Sequence, residues 1–438
     1  MNQPNKCLGV VFLPEETWKS RVGFVAAAMG SAVGLGNIWM FPMRAGLYGG
    51  AAFLVPYLIL LFLIGVVALT VEFTLGRTAG GPIEAYGKTL PGGKYLGIFV
   101  NVMMLMIFAF YSVVVGWALK YFVTALTGKL LGVDPGPFFG SISFSTEAVV
   151  WQFIAIVITI GIVIMGVQKG IERACKIMMP GLFVMLIILA IRSVTLPNSY
   201  AGLEFYLLPD WSKILSGKTW MIALSQMFFS LSCLGMSNVV YGSYIKKDQD
   251  IPLSAIVTAF GDTAVAVTAG FVVFPAVFAF SLEPTAGPGL VFVTLPMVFQ
   301  KMPGGIIFAV IFFLLILFAA ISSTVAMLET NVQAATTHLN MNRRNATILF
   351  GLLAFVIGAP GAINPTYFDW IINISTVYLG PLGALIAALA LIKLGIDKAY
   401  EELRKGALIE FPAIWKPWAK YVYPIVVIIV YVSQFILG

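Results

Sequence analysis

Apolar runs of about twenty residues or more alternate along the chain with short connections that carry Lys, Arg, Asp and Glu. Roughly twenty apolar residues in a helix cross the hydrocarbon of a bilayer. The pattern therefore predicts eleven spanning helices, at about 20–46, 52–77, 97–126, 148–167, 173–195, 219–244, 253–280, 306–335, 347–363, 367–394 and 418–437. Two runs are broken from within. Gly30-Ser31-Ala32-Val33-Gly34-Leu35-Gly36-Asn37 puts three glycines and two small polar side chains where the first run should carry Leu and Ile. Phe229-Ser230-Leu231-Ser232-Cys233-Leu234-Gly235-Met236-Ser237 does the same in the sixth. Lipid cannot satisfy free N–H and C=O groups, so such breaks are tolerated only where they line a cavity or are buried in protein. Matched breaks in two halves of a chain point to a ligand site near the membrane midplane.

Aligning the two breaks pairs spans one to five (about 20–195) with spans six to ten (about 219–394) and leaves span eleven (418–437) over. An odd number of spans per half gives the halves opposite orientations. The expected fold is an all-α polytopic membrane protein: an inverted five-plus-five helix repeat with broken helices one and six, plus one extra helix. The whole chain, 1–438, would form a single transmembrane domain.

Composition sharpens this reading. With 60% hydrophobic and 10% charged residues an ordinary soluble domain is excluded. Placing the N-terminus inside puts nineteen Lys and Arg on the inner face, including Arg77, Lys246, Lys247, Arg343 and Lys405, against seven outside, among them Arg44, Lys120 and Arg192. The C-terminus is then extracytoplasmic. The net charge of +7 is thus a topology signal spread over every inner loop, and no nucleic-acid partner is expected. Residues 1–18 lack the apolar core of a signal peptide. Cys7, Cys175 and Cys233 have no metal-ligand spacing, and structural disulfides are not expected.

A helix broken in mid-membrane offers N–H donors from the start of one half and carbonyls from the end of the other. The N–H groups of Gly34, Leu35 and Gly36 suit a carboxylate, and the carbonyls of Gly30, Ala32 and Val33 suit a hard cation. Asn37, Ser230, Ser322 and Ser323 add side-chain oxygens. Asp262 lies inside the seventh span, where an ionisable residue is functional by default. Glu72 is a second internal acid, suited to holding backbone N–H groups of a broken helix. His338, the only histidine, stands at an inner helix end, as an interfacial hydrogen-bonding residue. Gly170 and Pro180 weaken the cytoplasmic start of span five. The Pro- and Gly-rich segment 282–305 has room only for short helices, as a lid or a plain loop. The stretch 395–417 reads as an amphipathic interfacial helix.

The motifs Trp18-Lys19-Ser20-Arg21-Val22-Gly23-Phe24, Gly30 to Trp39, Lys169-Gly170-Ile171-Glu172-Arg173 and Lys247-Asp248-Gln249-Asp250-Ile251 resemble the neurotransmitter:sodium symporter family along nearly the whole chain. Within it the likeness is to prokaryotic eleven-span carriers of tyrosine and of hydrophobic amino acids. The resemblance implies two sodium ions: one held by Ala32, Asn37, Ser230 and Asp262 with the substrate carboxylate, the other by Gly30, Val33, Ala319, Ser322 and Ser323. It implies substrate contacts from Ser31, Ala32, Leu35, Gly36, Ile107, Tyr111, Phe229, Ser230, Ser232, Ser323 and Met327. Tyr111 would bond the carboxylate and Phe229 would close over the side chain. Gly170 to Pro180 matches the motif that unwinds for inward release.

Family members that carry biogenic amines have an aspartate at the position of Gly34, so its absence implies an amino-acid substrate. Chloride-dependent members have an asparagine at the position of Asp262. A built-in carboxylate implies chloride-independent transport, with protonation on the return step giving proton counter-transport. The usual gate pairs are missing. Met40 replaces the outer arginine, leaving packing or an Arg44–Asp369 pair to close that side. Glu15 or its neighbour replaces the inner arginine, and a Glu15–His338 contact would substitute. The expected function is sodium-coupled symport of hydrophobic or aromatic L-amino acids in a prokaryotic inner membrane, and no enzymatic constellation is present. The rivals are a proton-driven amino-acid carrier, a nutrient-binding sensor, and an ion channel, which would need a continuous polar lining.

Overall fold

The computed structural model describes residues 16–282 and 287–437, and these are almost entirely helical. Among them, eight helices are long and apolar enough to cross a bilayer: Ala51–Ala79, Gly93–Leu126, Thr146–Val163, Val167–Val194, Ile251–Ala279, Gly305–His338, Arg343–Ile363 and Pro365–Leu394. A further crossing is bent, with Arg21–Ala32 and Gly36–Leu47 meeting at 57°. Gly217–Ser230 and Ser237–Ser243 form a second interrupted crossing. Residues 415–437 close the chain as one helical run. This is the inverted five-plus-five architecture with broken helices one and six and one extra helix. The crossings are spans 1 to 11 in chain order.

Several spans begin earlier than hydropathy predicts because polar caps lie outside the apolar run. Ser145 caps span 4, Asp250 span 7 and Asn342 span 9, each accepting an N–H that the first turn leaves free. The breaks are shorter than the small-residue stretches that announce them. Span 1 is interrupted over Val33 and Gly34, and span 6 from Leu231 to Met236. In the second, Ser232 (φ 52°) and Gly235 (φ 69°) take left-handed conformations that no helix accommodates.

Span 3 packs along spans 4, 8 and 9. The first half of span 1 is enclosed by spans 5, 7 and 8, and the second half of span 6 lies along span 2. Glycine allows the close approach of spans 2 and 6, since a Cβ on Gly76 would stand 2.0 Å from the Val239 carbonyl. The two breaks are thus held in the middle of the bundle. Over the outer end, the apolar helix Leu290–Lys301 brings the Phe292 ring against Trp39, Trp117 and Tyr121. The Tyr121 hydroxyl donates to the Phe292 carbonyl at 2.8 Å. At the inner face Ile396–Arg404 sits on protein as well as facing outward, because its buried Glu402 pairs with Arg77 at the end of span 2, at 3.1 Å.

Candidate functional site

The break in span 1 positions three groups of atoms. Val33 leaves the helix (ψ 115°), so the carbonyls before it lose their partners and turn toward span 8. Ser323 Oγ lies 3.4 Å from the Gly30 carbonyl, 3.2 Å from that of Val33 and 3.1 Å from that of Ala319. Ser322 Oγ donates to the same Ala319 carbonyl at 3.0 Å. Residues nearly 300 positions apart in sequence thus gather carbonyl and hydroxyl oxygens, the donor set a hard monovalent or divalent cation takes.

A second oxygen cluster lies on the other side of the break. Asn37 Nδ2 donates to Asp262 Oδ1 at 2.7 Å, and Ser230 Oγ donates to Asp262 Oδ2 at 2.6 Å. Asn37 Nδ2 also reaches Ser230 Oγ at 3.0 Å and the Asp262 carbonyl at 3.1 Å. All three side chains are buried. Asp262 is the one carboxylate here, so the cluster carries a net negative charge that a cation would balance. Asn37 Oδ1 accepts the Gly34 N–H at 2.9 Å, which orients the amide and occupies one of the three donors expected to face a carboxylate.

Between the clusters lies a cavity of about 60 Å³ lined by Ser31, Ala32, Gly36, Ile107, Tyr111, Phe229, Ser232, Ser323 and Met327, all expected from the sequence. Its wall also includes Met104, Phe110, Leu234, Ser237 and Thr376, which sequence reasoning missed. Phe110 neighbours Tyr111 and Leu234 neighbours the break, so proximity in sequence was the available signal. Thr376 lies in span 10 and had none. Leu35 and Ser230 do not line the cavity but hold its wall. Leu35 donates its N–H to Tyr111 Oη at 3.1 Å, and Ser230 bonds Asp262. One end of the cavity is therefore a hydroxyl and amide corner, and the rest is aromatic, aliphatic and methionine.

Two glycines make this packing feasible. A Cβ on Gly34 would stand 2.8 Å from Tyr111 Oη and 3.0 Å from Ser323 Oγ, and one on Gly36 would stand 2.9 Å from the Phe229 ring. The span 6 break is bonded rather than loose. Ser232 Oγ donates to the Ser31 carbonyl at 2.9 Å, Ser31 and Ser237 share a 3.2 Å hydroxyl bond, and Asn238 Nδ2 donates to the Leu231 and Ser232 carbonyls. Glu72 Oε1 accepts the Gly235 N–H at 2.8 Å, the backbone-holding role expected of it.

Of the closures the sequence suggested, the Arg44–Asp369 pair is not formed. Arg44 does not reach Asp369, which is exposed on Pro365–Leu394; its Nη1 donates to Gln226 Oε1 at 2.7 Å. On the inner side Glu15 lies outside the described residues, and so does any contact it makes with His338. The neighbouring Glu16 does the work expected there. Arg343 Nη1 donates to Glu16 at 2.9 Å, and Arg343 Nη2 to the buried Glu329 at 2.5 Å. Tyr244 Oη donates to Glu329 at 2.6 Å, and Trp18 Nε1 to the Tyr241 carbonyl at 3.0 Å. One arginine, on span 9 and not on the leading segment, thus bridges two carboxylates.

The sequence profile of the Sodium:neurotransmitter symporter family matches residues 15–133 and 140–437. The chain is 35% identical to an uncharacterized sodium-dependent transporter, YhdH, of Bacillus subtilis, over 95% of this chain and 97% of that protein. It is 33% identical to an uncharacterized sodium-dependent transporter of Haemophilus influenzae, over 96% and 98% respectively. Its fold superposes on the crystal structure of MhsT in complex with L-phenylalanine with a TM-score of 0.85, at 39% identity, covering 96% of this chain and all of that one.

Proposed function

The chain belongs to the sodium:neurotransmitter symporter family, and from that premise we propose that it carries hydrophobic or aromatic L-amino acids with sodium by alternating access, without chloride and with proton counter-transport. Family membership makes it a sodium-coupled, multi-pass membrane transporter and not an enzyme. The observation that carries the substrate class is the cavity: one polar corner lined by Tyr111, Gly34 and Gly36, then apolar walls, between two oxygen clusters. An α-carboxylate belongs in that corner, next to the cation cluster of Ala32, Asn37, Ser230 and Asp262, and an apolar side chain against Ile107, Phe229 and Met327. The bound L-phenylalanine of MhsT supports this assignment.

Two sodium ions travel as co-substrates, the second on Gly30, Val33, Ala319, Ser322 and Ser323. Asp262 takes the place of a bound chloride. When sodium and the substrate carboxylate leave inward, a buried carboxylate without a cation favours its protonated form, and the proton returns outward with the empty carrier. The chain works as one transmembrane domain in the inner membrane of a prokaryote. Its repeats cover about 20–195 and 219–394, its N-terminus is cytoplasmic and its C-terminus extracytoplasmic.

The test is uptake of a labelled amino-acid panel into proteoliposomes under inward sodium, potassium or proton gradients, with and without chloride. Sodium-only, chloride-indifferent uptake of Leu, Phe, Tyr or Trp is expected. Uptake driven by protons alone would remove the sodium roles of Gly30, Asn37 and Ser322.

A further inference from the structure

Span 10 enters the cavity wall at Thr376. It runs antiparallel to span 3. The Phe368 ring packs on Phe110 and Trp117, at centroid distances of 6.3 and 5.3 Å, and a Cβ on Gly383 would lie 3.2 Å from the Met103 side chain. Thr376 stands about midway between these contacts and lines the cavity with Met104 and Leu234. Gly380, one turn further on, is also next to Leu234, since a Cβ there would be 3.5 Å from Leu234 Cδ2. Span 10 widens into a π-turn over Asn373–Tyr378, where the Leu379 N–H donates to the Ile374 carbonyl at 3.0 Å. Wide turns of this kind are frequent at functional sites.

The wall around Thr376 is otherwise apolar, formed by Met104, Ile107, Phe110 and Leu234. The serine hydroxyls of the cavity belong to spans 1, 6 and 8 and are bonded there: Ser232 to the Ser31 carbonyl, Ser31 to Ser237, and Ser323 to three carbonyls. Thr376 Oγ1 donates its own proton to the Ile372 carbonyl at 2.7 Å. A hydroxyl has one proton and two lone pairs, so what Thr376 has left is acceptor capacity. Among the described residues no donor occupies it. A lone acceptor in an apolar wall favours a ligand that brings an N–H or O–H to it, and disfavours the same shape without one.

The amino-acid reading above puts a carboxylate in the polar corner at Tyr111 and a side chain against the apolar walls, and the inference rests on that reading. We propose that Thr376 is a specificity residue: its Oγ1 accepts the indole N–H of tryptophan or the phenol O–H of tyrosine, so the carrier selects these over aromatic side chains of like shape that lack a donor. Met104 and Leu234 flank this bond with apolar contacts. Phenylalanine and leucine bind without it.

The test is sodium-dependent binding to the purified full-length protein, with labelled phenylalanine competed by tyrosine, leucine, tryptophan and benzothienylalanine, which is tryptophan with sulfur in place of the ring N–H. In the unsubstituted protein tyrosine should bind about three- to tenfold tighter than phenylalanine, and tryptophan tighter than benzothienylalanine by the same factor. Thr376→Val should erase both differences and leave phenylalanine and leucine bound as before, which also shows that the variant is folded. Thr376→Ser keeps the hydroxyl and should keep both differences. Equal weakening of every ligand in Thr376→Val, or differences that are absent from the unsubstituted protein or survive in that variant, would overturn the role of Thr376 while phenylalanine binding still upheld the amino-acid reading. No sodium-dependent binding of any of these amino acids by the unsubstituted protein would remove that reading, and this inference with it.

Discussion

At the scale of single residues, the site depends as much on the missing Cβ of Gly34 as on any polar group. Tyr111 Oη and Ser323 Oγ both crowd that position, and one belongs to the proposed substrate corner while the other belongs to the oxygen cluster beside it. A methyl group there must push one of them away, and overpacking of this kind costs about 1–3 kcal/mol. Gly34→Ala is therefore expected to weaken sodium-dependent binding of labelled phenylalanine by roughly tenfold or more, since 1.4 kcal/mol is a factor of ten. Binding at the unsubstituted level would show that the corner is not where the carboxylate sits. Asp262 poses the complementary question. It holds the only negative charge among residues that otherwise offer neutral oxygens, and Asn37 and Ser230 both donate to it. Asp262→Asn should cut chloride-free uptake at least tenfold, restore part of it when chloride is added, and abolish proton counter-transport. Full chloride-free uptake with protons still moving would refute the charge-replacement argument.

Elements fail differently from residues, because a helix break or a docked helix loses its geometry as a whole. Gly235 is the tightest point of span 6: φ is +69°, and a Cβ would stand 2.1 Å from the Gly383 carbonyl of span 10. Gly235→Ala should lower the melting temperature and uptake together, whereas Gly217→Ala, with nothing within 4 Å, should change neither. The helix Ile396–Arg404, which carries Glu402, gives a second contrast. Arg77 and Glu402 are both buried and paired, with further bonds from Arg77 to the Glu402 and Gln249 carbonyls. Removing one partner of a buried pair costs about 3–5 kcal/mol, while replacing both is far milder. Arg77→Met should destabilise the protein more than Arg77→Met with Glu402→Met, measured by thermal unfolding in detergent; equal losses would mean the pair is not coupled. These elements also mark how far the sequence could be read. The apolar runs and the small-residue breaks were legible because lipid forbids both polar side chains and free backbone. The helix starts were not, since Ser145, Asp250 and Asn342 are polar and lie outside any apolar window. The closures were not either. Arg343 meets Glu16 across more than 300 residues, and Arg44 chose Gln226 over Asp369, pairings that only tertiary packing decides.

For the whole molecule the decisive quantity is the charge moved per cycle. A zwitterionic amino acid carries none, so the two sodium ions proposed to enter with it would move two positive charges inward. If Asp262 returns a proton outward, the net is one. An inside-negative potential of 100 mV supplies about 2.3 kcal/mol per charge, enough alone for roughly 50-fold accumulation of substrate with one charge. With two charges the same potential gives about 4.6 kcal/mol, or on the order of 2,000-fold. The two mechanisms therefore separate widely in a simple experiment. Proteoliposomes with equal sodium and pH on both sides, and a potassium diffusion potential stepped through several values, report the accumulation ratio of a labelled substrate against voltage. The slope expected here is one charge per amino acid. In Asp262→Asn, with equal chloride on both sides, a slope still near one but without proton movement, the anion entering in place of the proton that returned outward, would assign that proton to this carboxylate. A slope of two in the unsubstituted protein would remove proton counter-transport from the cycle and leave Asp262 as a fixed anion beside the first cation.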